Sequence, residues 1–240
     1  MAIAVRPDHK TAAILNTGTG ENNFTTAPIV TIDLINNIIK QQYEPTNTRA
    51  AYDGVIYSAD GTHLYFSQNN RTVTILSVAT DGTVSAEAQV ALATSSGAVN
   101  NGGLALSADG KTLYVVLNMA NSVGVINLTT NTFVGEIAVQ NASKSIAVVG
   151  NMAYVTNEGG RPARPGEYTN VSAGMPIVAN PESASSTTGT VSIINLSTGA
   201  VVKNIAVGLH PTAILAWDGY VFVANSNSDS VSVIDTTLQI

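Results

Sequence analysis

The chain has 240 residues, 45% hydrophobic and 11% charged, a balance too apolar for disorder and long enough to bury one sizeable core or a row of small ones. Sixteen acidic against ten basic side chains leave a net charge of −6, and Lys111, Lys144 and Lys203 each stand alone, which disfavours nucleic acid as a partner because phosphate backbones select clustered bases. The lack of cysteine excludes disulfides and thiolate metal sites, and no apolar run reaches the roughly 18 residues of a membrane helix.

In chain order the sequence repeats one phrase five times. The first copy, AIAVRPDHKTAAILNTG followed by IVTIDLINNIIKQQYE, is the most degenerate. SADGTHLYFSQNNRTVTILSV (58–78) and SADGKTLYVVLNMANSVGVINL (107–128) are the best ordered. The fourth copy reads VVGNMAYVTN (148–157) and resumes at TVSIINLSTGAVVKNIAVG (190–208), and the fifth is AWDGYVFVANSNSDSVSVIDT (216–236). Anchored on Ile29, Val73, Val123, Val191 and Val231, the copies are spaced by 44, 50, 68 and 40 residues, the range of propeller blades once the long interval is set aside. The repeat boundaries fall at about 1–44, 45–92, 93–139, 140–207 and 208–240, all in one domain, with the last copy incomplete.

Each copy divides into four short strands. Asp-Gly at 60–61, 109–110 and 218–219 predicts tight two-residue hairpin turns, glycine accepting the positive φ. YVVLN and VFVAN are β-branched and aromatic, and SVGVIN and SVSVID alternate with period two, which places one face in a core. VVKNIAV and FVGEIAV supply the fourth strand. The nearest approach to a helix, LINNIIKQQ (34–42), occupies a strand position in the repeat. The fold expected is therefore all-β, a β-propeller of four-stranded antiparallel blades. A parallel β-helix would need shorter rungs.

One copy is interrupted. From Tyr154 to Val191 is 37 residues, against 9 from Phe222 to Val231, so about 28 are inserted between the second and third strands of the fourth blade. The insertion, 158–189, therefore emerges on one face of the disc. A loop that long without secondary structure of its own is more often functional than not. It holds Glu158, Arg161, Arg164, Glu167 and Tyr168 among Pro162, Pro165, Pro176 and Pro181, and the prolines limit its freedom. It reads first as a flap over the disc or a seat for a neighbouring domain, and second as a small-ligand or phosphate site built on Arg161 and Arg164. A shorter insertion of the same kind, GTGENNFTTAP (18–28), interrupts the first copy.

Other chemistry is sparse. His9 and His63 fall in hairpin turns and His210 in the connector before the last copy, and no pair has metal-ligand spacing. There is no G-x-S-x-G elbow. Gly18-Thr-Gly20 precedes no helix, so a loop explains it better than phosphate binding. Asn16, Asn157 and Asn225 recur at the end of the second strand, where an Asx side chain caps a turn. No cofactor, catalytic or metal residue is assigned.

YVTN at 154–157, SADGKTLYV, and NSDSVSVID together resemble the YVTN-repeat (YncE-like) β-propellers over essentially the whole chain. GGRPARPGE, SAGMPIVANPESASSTTGTVSIINLSTG and VGLHPTA resemble those members that continue into an alkaline-phosphatase-like phosphoesterase domain. The resemblance implies seven blades, about five of them present here as an open arc, and a C-terminal catalytic domain outside the chain. It also implies a bacterial protein exported to the periplasm, the surface or the medium, although the chain carries no signal peptide. The function expected is a non-catalytic scaffold or binding module, with a protein partner or an adjacent phosphoesterase domain. A lactonase-type propeller hydrolase and a nucleic-acid-binding propeller are the alternatives. The lactonase needs acidic or histidine ligands on inner strands that offer few. Open blade faces at the two ends of the arc are expected sites of self-association.

Overall fold

The computed structural model describes residues 2–15, 29–44, 51–68, 71–94, 101–172 and 174–240. Blade 1 consists of β1 (Ala2–Val5), β2 (Thr11–Leu15), β3 (Ile29–Asp33) and β4 (Ile38–Tyr43). Blade 2 has β5 (Ala51–Tyr57), β6 (His63–Gln68), β7 (Thr72–Val78) and β8 (Val84–Ala91). Blade 3 has β9 (Asn101–Leu106), β10 (Thr112–Leu117), β11 (Ser122–Asn127) and β12 (Thr132–Ala138). In blade 4, β13 (Asn141–Val149) and β14 (Met152–Gly160) are followed by a separate hairpin, β15 (Thr169–Ser172) and β16 (Met175–Val178), before β17 (Thr190–Asn195) and β18 (Ala200–Ala206) complete the sheet. Blade 5 has three strands, β19 (Pro211–Trp217), β20 (Tyr220–Asn225) and β21 (Ser230–Asp235).

Each blade is an antiparallel meander in chain order. The protein is an all-β propeller of five blades, and of LINNIIKQQ residues 38–42 enter β4 while 34–37 make the turn from β3. The first strands pack side by side in the order β1, β5, β9, β13, β19, and the fourth strands in the order β4, β8, β12, β18. The core is correspondingly divided into four clusters, one between each pair of successive blades. Between blades 3 and 4, for example, Tyr114, Val116 and Val123 meet Ile146, Ala153, Val155 and Ile194. Period-two alternation makes this division possible, since each of blades 2, 3 and 4 buries both faces, one against each neighbour.

Two sequence expectations are corrected. Of the three Asp-Gly pairs only Asp218-Gly219 is a two-residue turn, with both residues at positive φ, 48° and 80°, between the paired Trp217 and Tyr220. In blade 2 the connection spans Ser58 to Thr62, closed by the Ser58 amide donating to the His63 carbonyl at 2.9 Å. Here the Asp60 carboxylate accepts from the Ser58 hydroxyl at 2.6 Å, the Thr62 amide at 3.0 Å and the Thr62 hydroxyl at 2.8 Å. Those donors, the Ser58 hydroxyl foremost, hold Asp60 ionised down to a pKa of about 2. Asp109 is bonded alike in blade 3. Blade 1 repeats the loop with His9, φ 58°, where the others have glycine. The serine and threonine flanking each Asp-Gly supply the donors that widen the turn.

In two of the three recurrent asparagines the side chain does not cap a turn. Asn157 and Asn225 are buried and reach across to the third strand, Asn157 Nδ2 donating to Thr190 Oγ1 and Ser192 Oγ, and Asn225 Nδ2 to Ser230 Oγ and Ser232 Oγ. In blade 2, Gln68 makes the equivalent link with the polarity reversed, its Oε1 accepting from the Thr72 and Thr74 hydroxyls. Asn16, the Gly18–Gly20 pair and the 18–28 insertion lie outside the described residues.

Candidate functional site

The interruption in blade 4 becomes a fastened flap. β14 runs on to Gly160, whose φ of +64° turns the chain, and an added Cβ at Gly159 or Gly160 would strike Ile177 or Thr188. The two glycines therefore let the returning segment lie against the strand. The insertion is not devoid of secondary structure as expected. TNVS and MPIV pair in register from Thr169 with Val178 to Ser172 with Met175, and Pro176 is tolerated because a two-stranded ribbon has free edges.

Three kinds of contact hold the flap. Ile177, Val178 and Ala179 are buried. Asn141 Nδ2, at the start of β13, donates to the Pro176 carbonyl at 2.9 Å, and Thr188 Oγ1 donates to the Gly159 carbonyl at 2.8 Å. Within the flap, Arg161 grips Glu167 with both terminal nitrogens, Nη1 at 2.7 Å, while the Arg164 amide donates to the same carboxylate at 2.7 Å. The Arg161 guanidinium, foremost, and the Arg164 amide bring the Glu167 pKa down to about 2, and Arg161 is raised in turn.

The predicted loop residues thus fall into three settings. Arg161, Arg164 and Glu167 form one clamp, in which Arg161 faces a carboxylate of its own loop and Arg164 acts through its backbone. Glu158 is buried in β14. Tyr168 is 48% exposed and Val171 of β15 is 65% exposed, so the flap's outer surface carries apolar area. Where the flap meets blade 5, Asn180, Ser183, Ser185, Thr187, Leu209 and Asn227 line a cleft of about 520 Å³ whose walls are hydroxyls and amides without charge.

A second cleft, about 420 Å³, opens at the turns joining first to second strands, between blades 2 and 3, with Asp60, His63, Tyr65, Glu87, Asp109 and Lys111 on its walls. His63 opens β6 instead of sitting in the turn. Its Nε2 is 3.2 Å from Glu87 and its Nδ1 is 2.8 Å from the Thr62 hydroxyl, while Ser77 Oγ donates to Glu87 at 2.6 Å. The His63 ring stacks on Tyr65 with centroids 6.2 Å apart. No sequence spacing marks this group, because Glu87 and Ser77 reach His63 only through the β6–β7–β8 register.

No family model and no curated protein matches this sequence. Solved structures do resemble it. A functionally unknown protein from Desulfotomaculum acetoxidans superposes with a TM-score of 0.69 at 17% identity, over 98% of this chain and 68% of that one. Hydrazine synthase from Kuenenia stuttgartiensis gives 0.65 at 15% identity, over 98% and 62%. A dihydro-heme d1 dehydrogenase, NirN, gives 0.62 at 14% identity, over 99% of this chain and 45% of that one. The chain thus spans between about half and two thirds of the proteins it resembles, and the likeness is one of propeller fold.

Proposed function

We propose that this propeller is a non-catalytic binding module that presents its flap face to a protein partner, as part of an exported bacterial protein of the YVTN-repeat type. The flap carries the reading. Long insertions that are ordered by their own hairpin, bolted to the disc and internally clamped are suited to recognition, because little ordering entropy remains to be lost on binding. Tyr168 and Val171 supply the exposed apolar area such a contact buries, beside a polar cleft that gives it a hydrogen-bonding rim. The resemblance in the flap sequence suggests the partner: a phosphoesterase domain following the propeller, seated on β15 and β16.

Backbone hydrogen exchange tests this, measured on the 240-residue chain and on the product of the complete reading frame that encodes it. Residues 169–178 are expected to gain protection in the longer product, and hydrolysis of p-nitrophenyl phosphate is expected there and not in the 240-residue chain. Unchanged exchange across the flap, or turnover of a phosphate ester or lactone by the 240-residue chain itself, would sink the proposal.

A further inference from the structure

Blade 2 departs from the repeat at three positions that the strand register brings together. The residue opening the second strand pairs with the one closing the third, and the pair is Thr11 with Asp33 in blade 1, Thr112 with Asn127 in blade 3, Met152 with Asn195 in blade 4 and Tyr220 with Asp235 in blade 5. In each of these blades the acid or amide caps the turn that follows, its Oδ1 accepting from two backbone amides. In blade 2 the pair is His63 with Ser77, and Ser77 donates its hydroxyl to Glu87 at 2.6 Å. Glu87 occupies the bulge of β8, between Ala86 and Ala88, where blades 1, 3 and 4 carry Lys40, Val134 and Val202. The group His63, Ser77 and Glu87 therefore belongs to one blade and is not part of what the repeat needs in order to fold.

It stands in the cleft of about 420 Å³ between blades 2 and 3, among carboxylates that are each half committed. Glu87 Oε2 is held by Ser77 and His63, Asp60 Oδ1 by Ser58 and Thr62, and Asp109 Oδ1 by the Ser107 hydroxyl and the Lys111 amide. Among the described residues the other oxygen of each has no hydrogen-bond partner. Tyr65 lines the same cleft and is only 5% exposed. Its hydroxyl, too, has no hydrogen-bond partner among the described residues, and it is not enclosed as those of Tyr57 and Tyr154 are. Burial foremost, then the charges of Asp60 and Glu87, raise the Tyr65 pKa to about 12, so the phenol stays neutral and its oxygen can accept. Lys111 brings one ammonium to these walls, where it acts on Asp109. Three carboxylates against that one cation leave the cleft negative even when His63 is protonated.

We infer that this cleft binds a small organic cation through an ammonium or guanidinium group, with Glu87, Asp60 and Tyr65 as its acceptors. Charge-assisted bonds from N–H donors to carboxylates are the strong polar contacts available to such a ligand, and the cleft has the volume of a small-molecule site. Among the described residues no three His, Asp or Glu side chains gather as the ligands of one metal ion, so these oxygens suit a group that spans them. His63 and Ser77 are positioning residues, since both hold Glu87 Oε2 and thereby turn Oε1 to the ligand.

Titration of the 240-residue chain with methylguanidinium, followed by NMR of the histidine rings, is the test. The His63 ring resonances are expected to shift and saturate, while those of His9 and His210, the other two histidines, stay in place. Glu87→Gln is expected to weaken binding about tenfold, the loss of one charge-assisted hydrogen bond, and Tyr65→Phe about threefold, the loss of a neutral one. Glu182→Gln removes an acid of the flap and is expected to leave binding unchanged. Circular dichroism checks that each variant keeps its strands. Tetramethylammonium carries the charge without N–H donors and is expected not to move His63. The inference is overturned if methylguanidinium gives no saturable shift of His63, if tetramethylammonium binds as well, or if Glu182→Gln weakens binding as much as Glu87→Gln does. Tighter binding of the peptide acetyl-Gly-Arg-Gly-amide than of methylguanidinium would assign the cleft to an arginine of a partner chain, and so overturn the small-molecule reading.

Discussion

At Glu167 a single carboxylate collects a guanidinium and a backbone amide, and its protonation therefore decides whether the Arg161 turn is held. Its pKa lies near 2 in the folded chain, against 4.5 for a free glutamate. A depressed folded pKa contributes stability that is full above the unfolded value and disappears as pH falls through the folded one. The clamp should accordingly weaken between about pH 4.5 and pH 2. Following the Arg161 Nε–Hε resonance through that window by NMR should show the transition, and Glu167→Gln should abolish it, leaving the resonance insensitive to pH there. A transition that persists in Glu167→Gln would assign the change to another group. The sequence shows Arg161, Arg164 and Glu167 as neighbours in a proline-rich loop, but not their pairing. Which charge a loop arginine meets depends on the turn that the intervening Pro162 and Pro165 impose. The buried role of Asn157 was hidden for a related reason: Thr190 and Ser192 lie more than thirty residues away in the chain, across the insertion.

At the scale of the strand, the repeat reports elements well because side chains alternate between two sheet faces, so SVGVIN and SVSVID alternate visibly and residues 38–42 of LINNIIKQQ form the strand that their place in the period demands. Turn geometry was less legible, since Asp-Gly is common to the two-residue turn at 218–219 and the wider loops at 58–62 and 107–111. What separates them is the Ser and Thr or Lys on either side, which bond the aspartate. The first strands show a further constraint. A Cβ at Gly54 would come within 2.5 Å of the Gly102 carbonyl, and one at Gly102 within 2.3 Å of the Lys144 carbonyl, so β5, β9 and β13 approach through glycine. Gly102→Ala must push two backbones apart, and is expected to cost about 1–3 kcal/mol, the usual range for overpacking. Gly110→Ala adds a Cβ that meets nothing within 4 Å and is expected to cost about 1 kcal/mol, from its positive φ alone. Urea unfolding of both variants beside the parent checks the contrast, and equal losses would refute the close-approach argument.

Across the whole molecule, the packed junctions among the described residues join successive blades, so stability accumulates from blades and junctions in the manner of a linear array. Among the described residues, blades 2, 3 and 4 have a packed junction on both sides, whereas blade 5 is described with one junction and three strands. Opening blade 5 breaks the single cluster around Val221, Val223 and Ile234; opening blade 3 breaks two. Local opening should therefore be graded along the chain. Native-state hydrogen exchange on the 240-residue chain should find the amides of β20 exchanging fastest among the second strands, and those of β10 slowest. Uniform protection across β6, β10, β14 and β20 would instead mean that the five blades open as one cooperative unit, and the nearest-neighbour account of the arc would have to be abandoned.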